Sequence, residues 1–120
     1  MIIYNDDSLE LNIEIARLAN MEITGNKNNI RDKSTLESIF SSCIYYDTNE
    51  LQASSIVCKL SQNQSFYDGN KRTALFMLTY YSKEYKLKLK KMNNKELADL
   101  ILKLAIEHIE PEKARKLMFY

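Results

Sequence analysis

The segment from Gln64 to Thr73, QSFYDGNKRT, gathers a glycine, an acid, two amides and two adjacent cations. The chemistry these residues offer is the holding of a phosphate. Gly69 sits where an incoming loop turns into a helix, and it lets backbone approach a ligand closely. The first N–H groups of such a helix lack intrahelical acceptors and, with the helix dipole, favour an anion. Asn70 adds a neutral amide donor. Lys71 and Arg72 add positive charge, and a guanidinium can grip phosphate oxygens with two parallel bonds. Asp68 is a candidate ligand for magnesium, which is bound by one or two carboxylates together with substrate phosphates. Phe66 is expected to pin the loop to the core. The residue types alone fit a capped helix start with surface charges equally well.

The elements that must position this loop are helices. Only two glycines and one proline interrupt the chain, which argues against a turn-rich β fold. The spacing predicts a first helix from Asp7 or Ser8 to about Ile23, with Leu11, Ile15, Leu18 and Ile23 as its apolar stripe. Residues 24–33, TGNKNNIRDK, read as an exposed loop. Ser34 and Glu37 have capping-box spacing and predict the next helix, with Leu36, Ile39, Phe40 and Cys43 inward. A turn near Asp47 leads to a helix burying Leu51, Ile56, Val57 and Leu60. After the loop 64–69, a long helix runs from Asn70 to Tyr85. The lysine–leucine alternation at 86–91 predicts a short extended link. Asn93 or Asn94 caps a helix through Ile106, and Pro111 opens a last short one. The expected architecture is a single all-α domain over residues 1–120, with the phosphate-binding loop between two central helices.

Composition narrows the partners. A formal charge of +1 gives no bulk electrostatic case for nucleic acid. The lysines at 86, 88, 90 and 91 lack the aromatic array of a single-strand binder and are expected to be solvated. The tyrosine pairs Tyr45–Tyr46 and Tyr80–Tyr81 are expected in core or rim packing or, where exposed, on a partner surface. Cys43 and Cys58 fall in apolar helical stretches and are expected as small core residues. With His108 distant in sequence, they make no convincing zinc set. No apolar run approaches the roughly 18 residues of a membrane span, and MIIYNDDSLE does not read as a signal peptide. A cytoplasmic protein with reduced thiols is the expectation.

The full string Gln64 to Ala74 resembles the signature of the Fic/Doc (Fido) family. That signature is a histidine, a phenylalanine two positions on, an acidic residue, glycine or alanine, asparagine, and a basic pair followed by Thr-Ala. Every position after the first matches. Arg31–Asp32 followed by Leu36–Glu37–Ser38 is similar to a segment common in Doc-type proteins. The resemblance implies a mostly helical fold and transfer of part of ATP, with magnesium, to a hydroxyl of a target protein. Fic members usually transfer AMP. Doc, the toxin of a toxin–antitoxin pair, transfers the terminal phosphate to elongation factor Tu. Lys71 stands where AMP-transferring members have a second glycine, and Leu75 where they have a second arginine. The resemblance therefore implies a Doc-type phosphotransferase toxin over an AMP-transferring Fic enzyme. It further implies that Phe66, Gly69, Asn70, Lys71 and Arg72 bind the nucleotide, that Asp68 holds magnesium, and that Asn29, Ile30 and Arg31 border the groove for the target peptide. The chain carries no Ser/Thr-x-x-x-Glu-Gly/Asn inhibitory motif, so regulation would come from a separate antitoxin.

One position departs from the signature. Gln64 stands where the family has its histidine, the general base. A carboxamide forms hydrogen bonds but has no useful proton affinity near neutral pH. A positioned base contributes about 10²- to 10⁴-fold in rate. Three explanations stay open. The chain is a variant inactivated at one position, a natural pseudoenzyme that binds nucleotide or antitoxin without turnover, or an enzyme with another base, Asp68 being nearest. His108, on the late helix, is expected to be structural.

Overall fold

The computed structural model describes residues 3, 5 and 7–120. The reading of the N-terminus as free of a signal peptide rests partly on residues 1, 2, 4 and 6, which lie outside the described residues. Among the described residues the chain forms six α-helices, α1 (Leu9–Thr24), α2 (Lys33–Ser42), α3 (Asn49–Gln62), α4 (Asn70–Glu84), α5 (Asn94–Ile106) and α6 (Pro111–Met118), with one short 3-10 turn at Cys43–Tyr45. The all-α expectation holds. Among the described residues, no helix is long and apolar enough to cross a membrane.

Helix α3 is the centre. It packs against α2, α4, α5 and α6, and residues 52–58 are buried without a break. A helix enclosed on all sides needs small residues where neighbours approach, and Ala53, Ser54 and Ser55 supply them. The Ser54 and Ser61 hydroxyls donate to backbone carbonyls of their own helix, at Glu50 (2.7 Å) and Cys58 (2.8 Å). Each thereby meets the demand that a buried polar group be bonded. Ile56, Val57 and Leu60 are buried as expected, while Leu51 is only half-buried at the rim.

The α1 stripe differs from its prediction. Leu11 is 62% exposed and Leu18 44% exposed, and Ile15 and Ile23 are half-buried. The buried face carries Asn12, Ile13, Ala16, Ala19 and Asn20. A purely apolar search for the inner face fails here because two asparagines find partners inside. Asn12 Oδ1 accepts the Tyr81 hydroxyl at 2.7 Å and so ties α1 to α4. Asn20 faces the site described below.

Helix ends follow local chemistry. Helix α2 begins one residue before the expected Ser34, because Asp32 is its cap: it is extended, and its carboxylate accepts Thr35 N–H at 3.0 Å. That bond holds the Asp32 carboxyl below its usual range. Asn93 and Glu96 close a full capping box on α5. Pro111 occupies the first turn of α6. The two glycines, Gly25 and Gly69, both have left-handed φ. With no others available, α4 and α5 end on Lys86 (φ 54°) and His108 (φ 49°). In each case the next N–H reaches back to a carbonyl of the last turn, Leu87 to Ser82 and Ile109 to Leu104, the glycine-type helix stop made without glycine. The extended link after α4 pairs antiparallel with the chain beyond α6 through Leu89 and Phe119. Lys90 N–H donates to Met118 C=O at 2.8 Å across that pair.

Cys43 and Cys58 are free and buried, as expected. Burial pushes both thiols up to about 12 and raises the Tyr81 phenol well above its usual value. Groups with raised folded-state values stabilise fully below their unfolded values and lose that contribution as pH rises through the folded ones. The contribution of these three groups should therefore be flat below the ordinary thiol range, and stability should fall as pH climbs toward about 12, measured as denaturant midpoint against pH. Tyr81→Phe leaves Asn12 Oδ1 without its buried donor and should cost about 1–3 kcal/mol in the same assay.

Candidate functional site

The loop between α3 and α4 is built backwards from its ends. Phe66 is buried, 1% exposed, and anchors the loop to the core. It does not line the cleft, so it supports the site rather than touching a ligand. Asn70 secures the loop to the first turn of α4: its Oδ1 accepts Phe66 N–H at 3.0 Å and its Nδ2 donates to Phe66 C=O at 2.9 Å. Both polar ends of the carboxamide are thus committed to backbone, and Asn70 acts first as a brace and not as the anion donor expected from its type. Gly69 follows with φ 77° and ψ 16°, a left-handed turn that directs the chain into α4.

A buried asparagine pair holds this turn from behind. Asn20 Nδ2 donates to the Asp68 carbonyl at 2.9 Å and to Thr73 Oγ1 at 3.1 Å. Asn29 Nδ2 donates to the same carbonyl at 2.8 Å and to Asn20 Oδ1 at 2.8 Å. Asn20 is 1% exposed and Asn29 3%. Neither was picked out by sequence reasoning as a loop brace. The available signal was two asparagines on segments otherwise expected to be an apolar helix face and an exposed loop. The loop 24–33 is correspondingly not a free linker. Ile30 and Phe66 form an antiparallel bridge. Tyr67 N–H donates to Asn29 C=O, and the N–H groups of Arg31 and Asp32 both donate to Ser65 C=O. Asn29, Ile30 and Arg31 do border the loop, and Arg31 Nη1 reaches Gln64 C=O at 3.3 Å.

The outward side is a cleft of about 500 Å³. Gln64, Asp68, Gly69, Lys71 and Arg72 line it, together with Ile106 at the end of α5. Gln62 closes its base by donating to the carbonyls of Leu104 and Ile109, both at 3.0 Å. The first intrahelical bond of α4 is Thr73 N–H to Gly69 C=O, and no side chain caps the helix. The N–H groups of Asn70, Lys71 and Arg72 therefore have no intrahelical acceptor and, with the positive end of the dipole, suit an anion. Asp68 Oδ1 accepts Gly69 N–H at 2.7 Å, and Oδ2 lies 3.4 Å from Arg72 Nη2 in an exposed pair. Such a pair contributes little to stability and leaves both charges open to a ligand.

Among the described residues, no cluster of three His, Cys, Asp or Glu side chains is placed to hold a metal. Asp68 is thus a lone carboxylate. That set suits magnesium carried in on phosphate oxygens and is too thin for magnesium by itself. His108 is exposed and terminates α5 away from the cleft lining. Leu75 is half-buried against the core.

A Cβ on Gly69 would meet Thr24 Cγ2 at 2.8 Å and Asn20 Nδ2 at 3.1 Å. Gly69→Ala should therefore destabilise by more than the roughly 1–2 kcal/mol of a left-handed L-residue, seen as a lowered melting temperature. Gly25→Ala, with nothing within 4 Å, should cost the backbone term alone.

Neither a family model nor a curated protein matches this chain.

Proposed function

We propose that the chain binds the triphosphate of ATP against the start of α4 and belongs by mechanism to the Doc-type phosphotransferases, with its acid–base step impaired by Gln64. The observation that carries this reading is the uncapped N-terminus of α4 opening into the cleft, with Lys71 and Arg72 on its rim and the turn before it braced from behind. Three free N–H groups, a lysine and an arginine suit the charge of a polyphosphate. The cleft volume lies within the range of ordinary small-ligand sites.

The roles proposed here are those the resemblance implies, set on the geometry of the cleft. The N–H groups of Asn70, Lys71 and Arg72 hold phosphate oxygens, and Arg72 swings from its weak pairing with Asp68 to grip them. Asp68 would hold magnesium, which would supply neutralisation of phosphate charge. Asn70, Asn20 and Asn29 keep the turn fixed while this happens. Gln64, exposed on the cleft wall, can hydrogen-bond an incoming hydroxyl but cannot take its proton. Positioning and charge neutralisation leave a small residual rate. Lys71 and Leu75 favour transfer of the terminal phosphate over AMP. The acceptor is a protein hydroxyl, with elongation factor Tu the first target to try, and a separate antitoxin is the implied regulator. Gln64 also favours a second reading, a nucleotide- or antitoxin-binding pseudoenzyme with no turnover.

Gln64→His separates the two. Under the enzyme reading it should raise transfer by about 10²- to 10⁴-fold and make the protein toxic when expressed alone. A pseudoenzyme would gain neither. Label on the γ-phosphate of ATP should reach the acceptor and label on the α-phosphate should not; α-label transfer would establish AMP transfer instead. Full activity with Gln64 in place would move the base to Asp68. Separately, Arg72→Ala should weaken binding of an ATP analogue with magnesium by about 1.5–3 kcal/mol in calorimetry. An unchanged affinity would mean the phosphates are held elsewhere.

A further inference from the structure

A second trough lies on the other side of Asn63. It has a volume of about 440 Å³ and runs between α2 and the end of α3. Asn63 lines both it and the cleft at the start of α4, so the two hollows adjoin across one residue. The walls are unlike each other in character. The cleft at α4 has backbone N–H groups, a lysine and an arginine. The trough has hydroxyls from α2, including Ser34, Ser38 and Ser42, an apolar strip at Ile39, and one cation, Lys59.

Lys59 is half-buried on α3. Its ammonium donates to Ser42 Oγ at 2.7 Å, and that hydroxyl in turn donates to Ile39 C=O at 3.2 Å. Among the described residues no carboxylate lies within ion-pair distance of it; the ion pairs there are Arg17–Glu14, Arg72–Asp68 and Lys95–Asp99. An ammonium carries three donors, so a cation held at the edge of a cavity with a neutral partner has donors and charge to offer. A single ammonium among neutral hydroxyls matches the single charge of a carboxylate. A phosphate dianion is better served by the several donors gathered at α4.

We infer that this trough docks a segment of the acceptor protein and that Lys59 pairs with an aspartate or glutamate of that segment, close in sequence to the hydroxyl that receives the phosphate. This rests on the phosphate-transfer reading above. Lys59 and Asn63 stand about one helical turn apart, about 6 Å along α3. An extended chain advances about 3.3 Å per residue. With the reach of the side chains, the acid falls about two to four residues from the hydroxyl. Ser34 and Ser42 lie about 12 Å apart along α2, long enough to line several extended residues. The hydroxyls of α2 give and accept bonds with passing backbone. Specificity for the acceptor would thus come from Lys59, outside the machinery that holds the nucleotide.

The test reads binding and not transfer, so it does not depend on turnover. The full chain, labelled with nitrogen-15, is titrated with short blocked peptides carrying one threonine and one aspartate at varied spacing, and with their asparagine counterparts. A separate titration uses an ATP analogue with magnesium. The aspartate peptides should shift resonances of Ser38, Ser42 and Lys59, with one spacing preferred. The asparagine counterparts should bind about tenfold or more weakly. Lys59→Met should erase that difference, and Lys59→Arg should keep it. If Lys59→Met does not fold, the aspartate–asparagine comparison on the unaltered chain decides. Equal binding of the two peptides, no shift in the trough, or equal shifts from inorganic phosphate would overturn the inference. The ATP analogue reports independently at Gly69 to Arg72, so failure of the nucleotide reading shows there and not in the trough.

Discussion

The Asp68 carbonyl accepts two side-chain N–H groups from within the protein, one from Asn20 on α1 and one from Asn29 on the segment before α2. Without those donors a part-buried carbonyl would lose its side-chain partners, and the turn into α4 would lose its tie to α1. Gly69 can adopt its left-handed turn only because no Cβ competes with Asn20 and Thr24 for the same space. Asn70 then locks the turn to Phe66. The uncapped N–H groups of α4, the exposed Asp68 and Arg72, and the cleft they face all inherit their position from this buried contact. Two buried amides bonded to each other and to one carbonyl are fully satisfied, which is the condition under which a polar interior adds rigidity.

The parts of the fold legible in the sequence were those set by local chemistry. Asn93 with Glu96, Pro111, the Asn70 start of α4 and the inner faces of α2 and α3 follow from spacing and capping preferences that act over one or two helical turns. Where the outcome depended on distant partners, spacing misled. Leu11 and Leu18 look like an inner stripe, yet α1 turns Asn12 and Asn20 inward because Tyr81 and Asp68, far along the chain, complete their hydrogen bonds. Asp32 takes the cap in place of Ser34 because its own extended backbone is held by the Ser65 carbonyl. The candidate site divides the same way. Gly69, Lys71 and Arg72 line the cleft at the start of α4. Asn70 has the right position but another duty, since its amide is within reach of Phe66 backbone. Asn29 sits in a stretch whose polarity reads as solvent-facing.

Under the proposed reading, the cleft would combine means of holding an anion with weak means of moving a proton. Backbone N–H groups, Lys71 and Arg72 do not depend on position 64, whereas the proposed acid–base work would. Binding and turnover would then be separable, with one side chain, Gln64, between the two states. The trough beyond Asn63 extends the same division of labour: recognition by Lys59 would be set apart from the residues that grip the phosphates.

The contacts that make the turn before α4 and the base of the cleft span large sequence distances. Asn20 and Asp68 are 48 residues apart, Asn29 and Asp68 39, and Gln62 meets Leu104 and Ile109 at separations of 42 and 47. Closing loops of that size costs entropy that local helix formation does not repay. The turn therefore needs α1 in place, and the base of the cleft needs the α5–α6 corner. A chain ending after α4 would lack the Leu104 and Ile109 carbonyls that Gln62 holds. Under the proposed reading, an anion bound there would draw on the stability of the entire molecule rather than of one loop.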